Sequence, residues 1–165
     1  MEKLSSRLAA ISDKTNAANL SKVLTDIYNR LNSALLKTGT LAISATTTKA
    51  KTTNASIISA QGIIRSLAAA DMPVLSGIIT TGYQNVAVFS VDKDGNAYTQ
   101  MGTQATTLQG VKFPNVPPTR CILGFVIIAN ATGSDFVCNT TALSAASVTT
   151  TYVDTLGAFD PNATI

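Results

Sequence analysis

An α+β chain, mainly β, is the fold class this sequence predicts: a short N-terminal helical segment followed by a compact antiparallel β-sandwich or jelly-roll-like domain. Three observations predict it. Up to Gly39 the apolar residues recur at helical spacing on a basic background. Beyond Gly39 the chain turns Thr-, Val- and Ile-rich and is punctuated by turn residues, the composition of many short strands. Charged residues make up only 13% of the 165 residues, against about 25% in an ordinary soluble domain. So little charge implies a surface partly covered by neighbours.

The helical reading rests on Leu20, Leu24, Ile27, Leu31 and Ala34, which follow a 4-3-4-3 spacing, with Val23 and Leu35 widening the stripe. It predicts a helix over residues 17–37, capped by Asn16 or Asn19 and stopped by Gly39, the usual residue just past a helix C-terminus. Leu4, Leu8 and Ile11 form a shorter stripe out of register with the first, so a break falls near Ser12 to Asn16. Two short helices folded back on the β domain and a docking or oligomerisation helix are both compatible with this pattern. The division falls into a helical anchor, residues 1–38, and a β domain, residues 39–165.

The β elements follow in order. Residues 41–46 and 55–58 are short strands, and Gln61-Gly62 turns the second into a strand over 63–67. After Pro73, strands over 85–91 and 97–101 flank Asp92-Lys93-Asp94-Gly95-Asn96, where Asp-Gly supplies the positive φ angles of a tight hairpin turn. Pro114, Pro117 and Pro118 mark a loop before the longest strand, residues 121–129. Both faces of that strand are apolar, Ile122, Val126 and Ile128 alternating with Leu123, Phe125 and Ile127, so it belongs at the centre of a sheet. A Thr-rich strand over 147–153 precedes an irregular tail.

Charge is partitioned along the chain. Residues 1–65 carry nine basic and three acidic side chains, net +6, and residues 66–165 carry three basic and six acidic, net −3. A dipolar layout of this kind orients docking on an acidic surface, with Lys3, Arg7, Lys22 and Arg30 foremost, while Leu20, Leu24, Ile27 and Leu31 supply apolar contact. Nucleic acid is a poor fit for the basic half, since the positives are spread singly and Tyr28 is its sole aromatic residue. The start is polar with no signal-peptide core, and the apolar run 121–129 is far shorter than the roughly 20 residues of a spanning helix. Synthesis in a cytoplasm without membrane insertion is the expectation. Cys121 and Cys138 are expected to be free, buried thiols, because a turn centred on Ala131-Thr132 places Cys138 opposite Phe125.

Catalytic chemistry finds little to stand on. The chain has no His, which removes the commonest general base and metal ligand. Two isolated cysteines make no zinc site within one chain. Asp92 and Asp94 imitate the opening of a calcium loop, but Gly95 stands at the fourth position and the distal Glu is missing. Phosphate-binding glycine motifs are absent, and Asp71, Asp135, Asp154 and Asp160 sit beside turn residues where a structural role is expected. The expectation is a protein that is not an enzyme and takes no cofactor or metal.

One resemblance adds a functional direction. Val111-Lys112-Phe113-Pro114-Asn115-Val116-Pro117-Pro118 leads into Arg120-Cys121-Ile122-Leu123-Gly124-Phe125-Val126-Ile127-Ile128. Phe136-Val137 with Thr140-Thr141-Ala142-Leu143 follows, and then Tyr152-Val153-Asp154-Thr155-Leu156-Gly157-Ala158-Phe159. Over most of residues 40–160 this resembles small virion proteins encoded beside the capsid genes of tailed bacteriophages. The resemblance implies a structural place on a virion, as a capsid decoration, cement or head-fibre protein made in the bacterial cytoplasm. Its partners would be the major capsid protein or other virion proteins, and further copies of itself, most simply as a trimer. A phage tail or neck component is the alternative. A carbohydrate-binding module fits less well, since the chain has no Trp and is only 5% aromatic.

Overall fold

The computed structural model describes residues 14–159. Helix α1 (Lys14–Leu31) precedes strands β1 (Ala34–Lys37), β2 (Leu41–Ile43), β3 (Ala50–Thr52), β4 (Ser56–Ala60), β5 (Ile63–Leu67), β6 (Ile78–Ile79), β7 (Tyr83–Val91), β8 (Ala97–Met101), β9 (Cys121–Asn130), β10 (Phe136–Val137) and β11 (Val148–Asp154). Every strand pair is antiparallel. The α+β, mainly β expectation therefore holds.

The helix is shorter at its C-terminal end than its periodicity implies. It stops at Leu31, where the Asn32 side chain and backbone N–H both donate to the Tyr28 carbonyl, at 2.9 and 3.0 Å. Residues 34–37, read in the sequence as the last helical turn, instead form β1, which pairs with β4 and buries Leu35 to 1% exposure. A ladder plus a buried leucine outweighs the few tenths of a kcal/mol per residue that helix propensity offers. Residues 34–37, grouped in the sequence with the helical segment 1–38, are thus joined to the β4 ladder. Gly39 is no helix stop either: the loop runs so close to β3 that a Cβ there would meet the Asn54 carbonyl at 2.9 Å and Thr52 at 3.0 Å. Asn16 and Asn19 lie inside α1, so neither caps it.

Two main sheets face each other. Sheet order is β1-β4-β5 in one and β11-β9-β7-β8 in the other, with two-stranded pairs β2-β3 and β6-β10 at the periphery. Between them lies a core of Leu35 and Ile58 from the first sheet, Phe89, Val91, Leu123, Val126 and Ile128 from the second, Phe136 from β10 and Leu143 from the loop that follows it. The outer face of the four-stranded sheet is covered as well. Val86, Val88 and Ile122 pack beneath Val111 and Val116 of the proline-bearing loop, with Phe113, Phe125 and Phe159 against them. That two-sided burial is why β9 is apolar on both faces, and why it lies at the sheet centre beside β7.

The alternation along β9 is not the regular one the sequence implies. Phe89 pairs with Gly124 and Ser90 with Ile122, leaving Leu123 as an extra residue in β9. This bulge reverses the parity, so Leu123 joins Val126 and Ile128 in the main core while Ile122 joins Phe125 on the outer face. Gly124 permits it, because a Cβ there would collide with the Val153 carbonyl and with Leu41.

The hairpins are well placed by their turns. Gln61 and Gly62 take φ of 51° and 78°, the two positive angles of a tight two-residue turn between Ala60 and Ile63. In the β7–β8 hairpin only Gly95 is left-handed, at φ 92°, and its N–H donates to the Asp92 carbonyl at 3.1 Å. The turn is the longer one that ends in a left-handed glycine, not the tight two-residue form. The strand expected over 41–46 closes at Ile43, since Ser44 and Lys49 bond across a turn.

Candidate interaction surface

The expected contact residues Leu20, Leu24, Ile27 and Leu31 all lie on α1, and all four are exposed, Leu31 to 68%. Val23 and Tyr28 flank them, 53% and 66% exposed. Among the described residues the helix has no extensive packing against any strand. Its tether lies at the C-terminal end, where the Arg30 guanidinium donates to the Val116 carbonyl at 2.8 Å and Ser33 is buried at the junction. From Leu20 to Leu31 the described part of α1 is exposed and not folded back on the β domain. Lys3, Arg7 and the stripe Leu4, Leu8, Ile11 lie outside the described residues.

The basic residues are not on the apolar face. At about 100° per residue, Lys22 projects from the side of α1 opposite the Leu20–Leu24–Ile27–Leu31 stripe, among Ser21, Thr25, Asp26 and Asn29. Arg30 sits on the flank and is engaged by the proline-bearing loop. A single flat partner surface cannot meet Lys22 and the stripe together. The structure separates an apolar seam from a polar back.

The apolar surface does not end with the helix. The Gly62 N–H donates to the Asn32 carbonyl at 3.0 Å, the Gln61 N–H to the Ser33 hydroxyl at 3.3 Å, and the Ser59 hydroxyl to the Asn32 carbonyl at 2.9 Å. These bonds fix the β4–β5 turn against the foot of α1. Beside it stand Ile63 and Ile64, 46% and 68% exposed, on β5, whose outer edge pairs with no strand. Sequence reading treated these two isoleucines only as strand formers. The signal was present in two consecutive isoleucines with no polar alternation, but the edge position of β5 is a property of the sheet.

Elsewhere several carboxylates are occupied in holding loops. Asp92 is the clearest case. Its carboxylate accepts from the backbone N–H of Asp94 and Asn96, the Asn96 amide and the Tyr98 hydroxyl, all at 2.9 to 3.0 Å. Burial alone would raise its pKa, but the hydrogen bonds from Asn96, Tyr98 and Asp94 outweigh it and bring the carboxyl from 3.8 to about 2. The Arg120 guanidinium lies 3.6 Å over the Tyr98 ring and braces the same corner. Asp71 accepts from the Ser44 hydroxyl, Asp135 from the Thr81 N–H and hydroxyl, and Asp154 from the Leu41 N–H. The carboxylates thus serve turns and crossings, as their sequence neighbours imply.

Cys121 and Cys138 are free and buried. Burial pushes the Cys121 thiol up to about 12 and raises that of Cys138 too, so neither is a ready nucleophile. A cavity of about 350 Å³ on the outer face of β9 is lined by Val86, Leu108, Val111, Phe113, Phe125 and Ile127, with Gln109 its one polar side chain. Such a lining offers no pair of groups to move a proton. Among the described residues no three His, Cys, Asp or Glu side chains gather as a metal site. No described helix is long and apolar enough to cross a membrane.

The segments quoted for the phage resemblance pack on one another. Phe113, Phe125 and Phe159, one from each of three of those stretches, have ring centroids 5.0 to 6.1 Å apart. Compared with known proteins, the chain matches no family model, no curated protein and no solved structure.

Proposed function

We propose that the chain is a non-catalytic structural component of a tailed-phage particle, placed on the head as a decoration, cement or head-fibre protein. The observation that carries this reading is a β domain preceded by a helix whose apolar stripe is exposed among the described residues. A domain built this way gains its last apolar burial only in an assembly. The charge-poor surface, the carboxylates consumed in turns and the apolar lining of the outer cavity support an assembling protein over an enzyme. The phage setting comes from the packing segments around Phe113, Phe125 and Phe159. In the particle, the N-terminal end of α1 with its polar back points to the capsid shell, and the β domain projects or joins neighbouring copies.

Immunoelectron microscopy of purified parent particles, with antibody raised against the β domain, tests the reading. Regular labelling of the head surface is expected. Particles that carry no copy of the protein by mass spectrometry defeat the proposal, and label confined to the neck or tail moves the protein to that structure.

A further inference from the structure

We propose that the cavity over the outer face of the four-stranded sheet is a binding site for a small, uncharged aromatic molecule. Its floor is Val86 of β7 with Phe125 and Ile127 of β9, and its wall is Leu108, Val111 and Phe113 from the segment that follows β8. No lining side chain is charged. Lys112, the nearest cation in sequence, stands exposed between Val111 and Phe113. An ion entering the cavity would give up its hydration with nothing to replace it, so a charged ligand is rejected. Gln109, exposed at the mouth, is the single lining side chain that hydrogen-bonds, and its amide can both donate and accept. The lining selects an apolar body that carries one neutral polar group.

The wall is tied to the floor by backbone hydrogen bonds. The Gly102 N–H donates to the Val86 carbonyl at 2.7 Å, Gln84 and Ala105 exchange bonds at 2.7 and 3.0 Å, and Thr103 and Lys112 exchange bonds at 2.9 and 3.3 Å. Leu108–Gly110 form a 3₁₀ turn, which the Val111 N–H closes on the Leu108 carbonyl at 3.2 Å. A cavity framed this way needs no loop to be ordered when a ligand enters, and that ordering is a main avoidable cost of binding. Shape points to a ring. Phe113 and Phe125 meet edge to face, with centroids 5.0 Å apart and planes at 88°, so two perpendicular rings offer a third both a face and an edge. A volume of about 350 Å³, filled at a density between those of a liquid and a protein interior, takes roughly ten to fifteen non-hydrogen atoms, which is the size of a fused pair of rings. Water is held poorly by such a lining, and an aromatic guest displaces it without breaking hydrogen bonds to the protein.

The inference does not rest on the virion reading, and its test needs no particle. The full chain is titrated with 2-naphthol, neutral at pH 7, and followed by methyl NMR. Saturation at one site is expected, with shifts concentrated on Val86, Leu108, Val111 and Ile127. 2-Naphthoate, the same rings bearing a charge, should bind at least about tenfold more weakly. Ile127→Trp fills the cavity from its floor and should abolish the saturable shifts while the melting midpoint is kept. Leu108→Glu changes only an exposed position on the wall, so it serves even if Ile127→Trp does not fold, and it should weaken 2-naphthol by about tenfold or more. Absence of saturation up to the solubility limit overturns the proposal, as do shifts centred on the exposed stripe of α1, equal binding of 2-naphthoate, or indifference to Leu108→Glu. Binding that emerges only after residues 160–165 are removed also overturns it, since that segment, which follows Phe159 beside Phe113 and Phe125, would then be the occupant.

Discussion

Asp92 organises a whole hairpin with one side chain. Four hydrogen bonds converge on its carboxylate, and that preference for the charged form holds its pKa near 2 in place of 3.8. Because the folded value lies below the unfolded one, the stabilisation is fully present above about pH 4 and is lost as pH falls through 2. Asp92→Ala should therefore lower unfolding free energy at neutral pH by about 1 kcal/mol, the low end for bonds to a charged group because solvent reaches the turn. The difference between variant and parent should shrink between pH 4 and 2, measured by urea titration across that range. A constant difference would assign the effect to lost packing. Sequence showed Asp92-Lys93-Asp94-Gly95-Asn96 as a turn; the acceptance from Tyr98 depends on the facing strand and was not visible there.

At the scale of elements, α1 and β1 show how one periodic pattern is divided between two structures. Residues 20–34 repeat as a helix would, yet the chain leaves the helix after Leu31 because β4 offers residues 34–37 a ladder and Leu35 a core site. Local spacing cannot report a strand partner that lies some twenty residues on. The consequence is a sharp difference between two truncations. Removing residues 1–31 should leave a cooperatively melting β domain, losing the Arg30 bond to Val116. Removing residues 1–38 also removes β1 and the buried Leu35, whose loss alone costs about 2–5 kcal/mol, and should give an aggregating or non-cooperative product. Circular dichroism melts of the two proteins decide it, and equal stability would place the domain boundary back at Gly39.

For the whole molecule, a four-stranded sheet is sealed on one face by another sheet and on the other by a loop. The clasp on the second face depends on Phe113, Phe125 and Phe159, brought together from a loop, a central strand and the segment after β11. Phe113→Ala should destabilise the domain by about 3 kcal/mol, at the lower end of the range for phenylalanine truncation because the site is partly open. In a double-mutant cycle, Phe113→Ala and Phe159→Ala should couple by about 0.5–1.5 kcal/mol. Strict additivity in denaturant titrations would show that the two rings contribute independently. Among the described residues the arrangement leaves the apolar stripe of α1 exposed, as well as Ile64 on the β5 edge.

Sequence by itself determined what depends on near neighbours. The β habit, the Gln61-Gly62 turn, the Asp92 hairpin, the central and doubly buried β9, the free buried thiols and the apolar stripe of α1 were all legible, because periodicity, φ preference and hydrophobicity act over a few residues. Tertiary structure alone decided what depends on which distant segment comes close. Strand pairing ended the helix at Leu31, the bulge at Leu123 exchanged the faces of β9, and the close approach of loop to β3 demanded Gly39. It also left Ile63 and Ile64 on an open edge at the foot of the helix. A residue's exposure is set by what the rest of the chain places over it, and no local pattern contains that information.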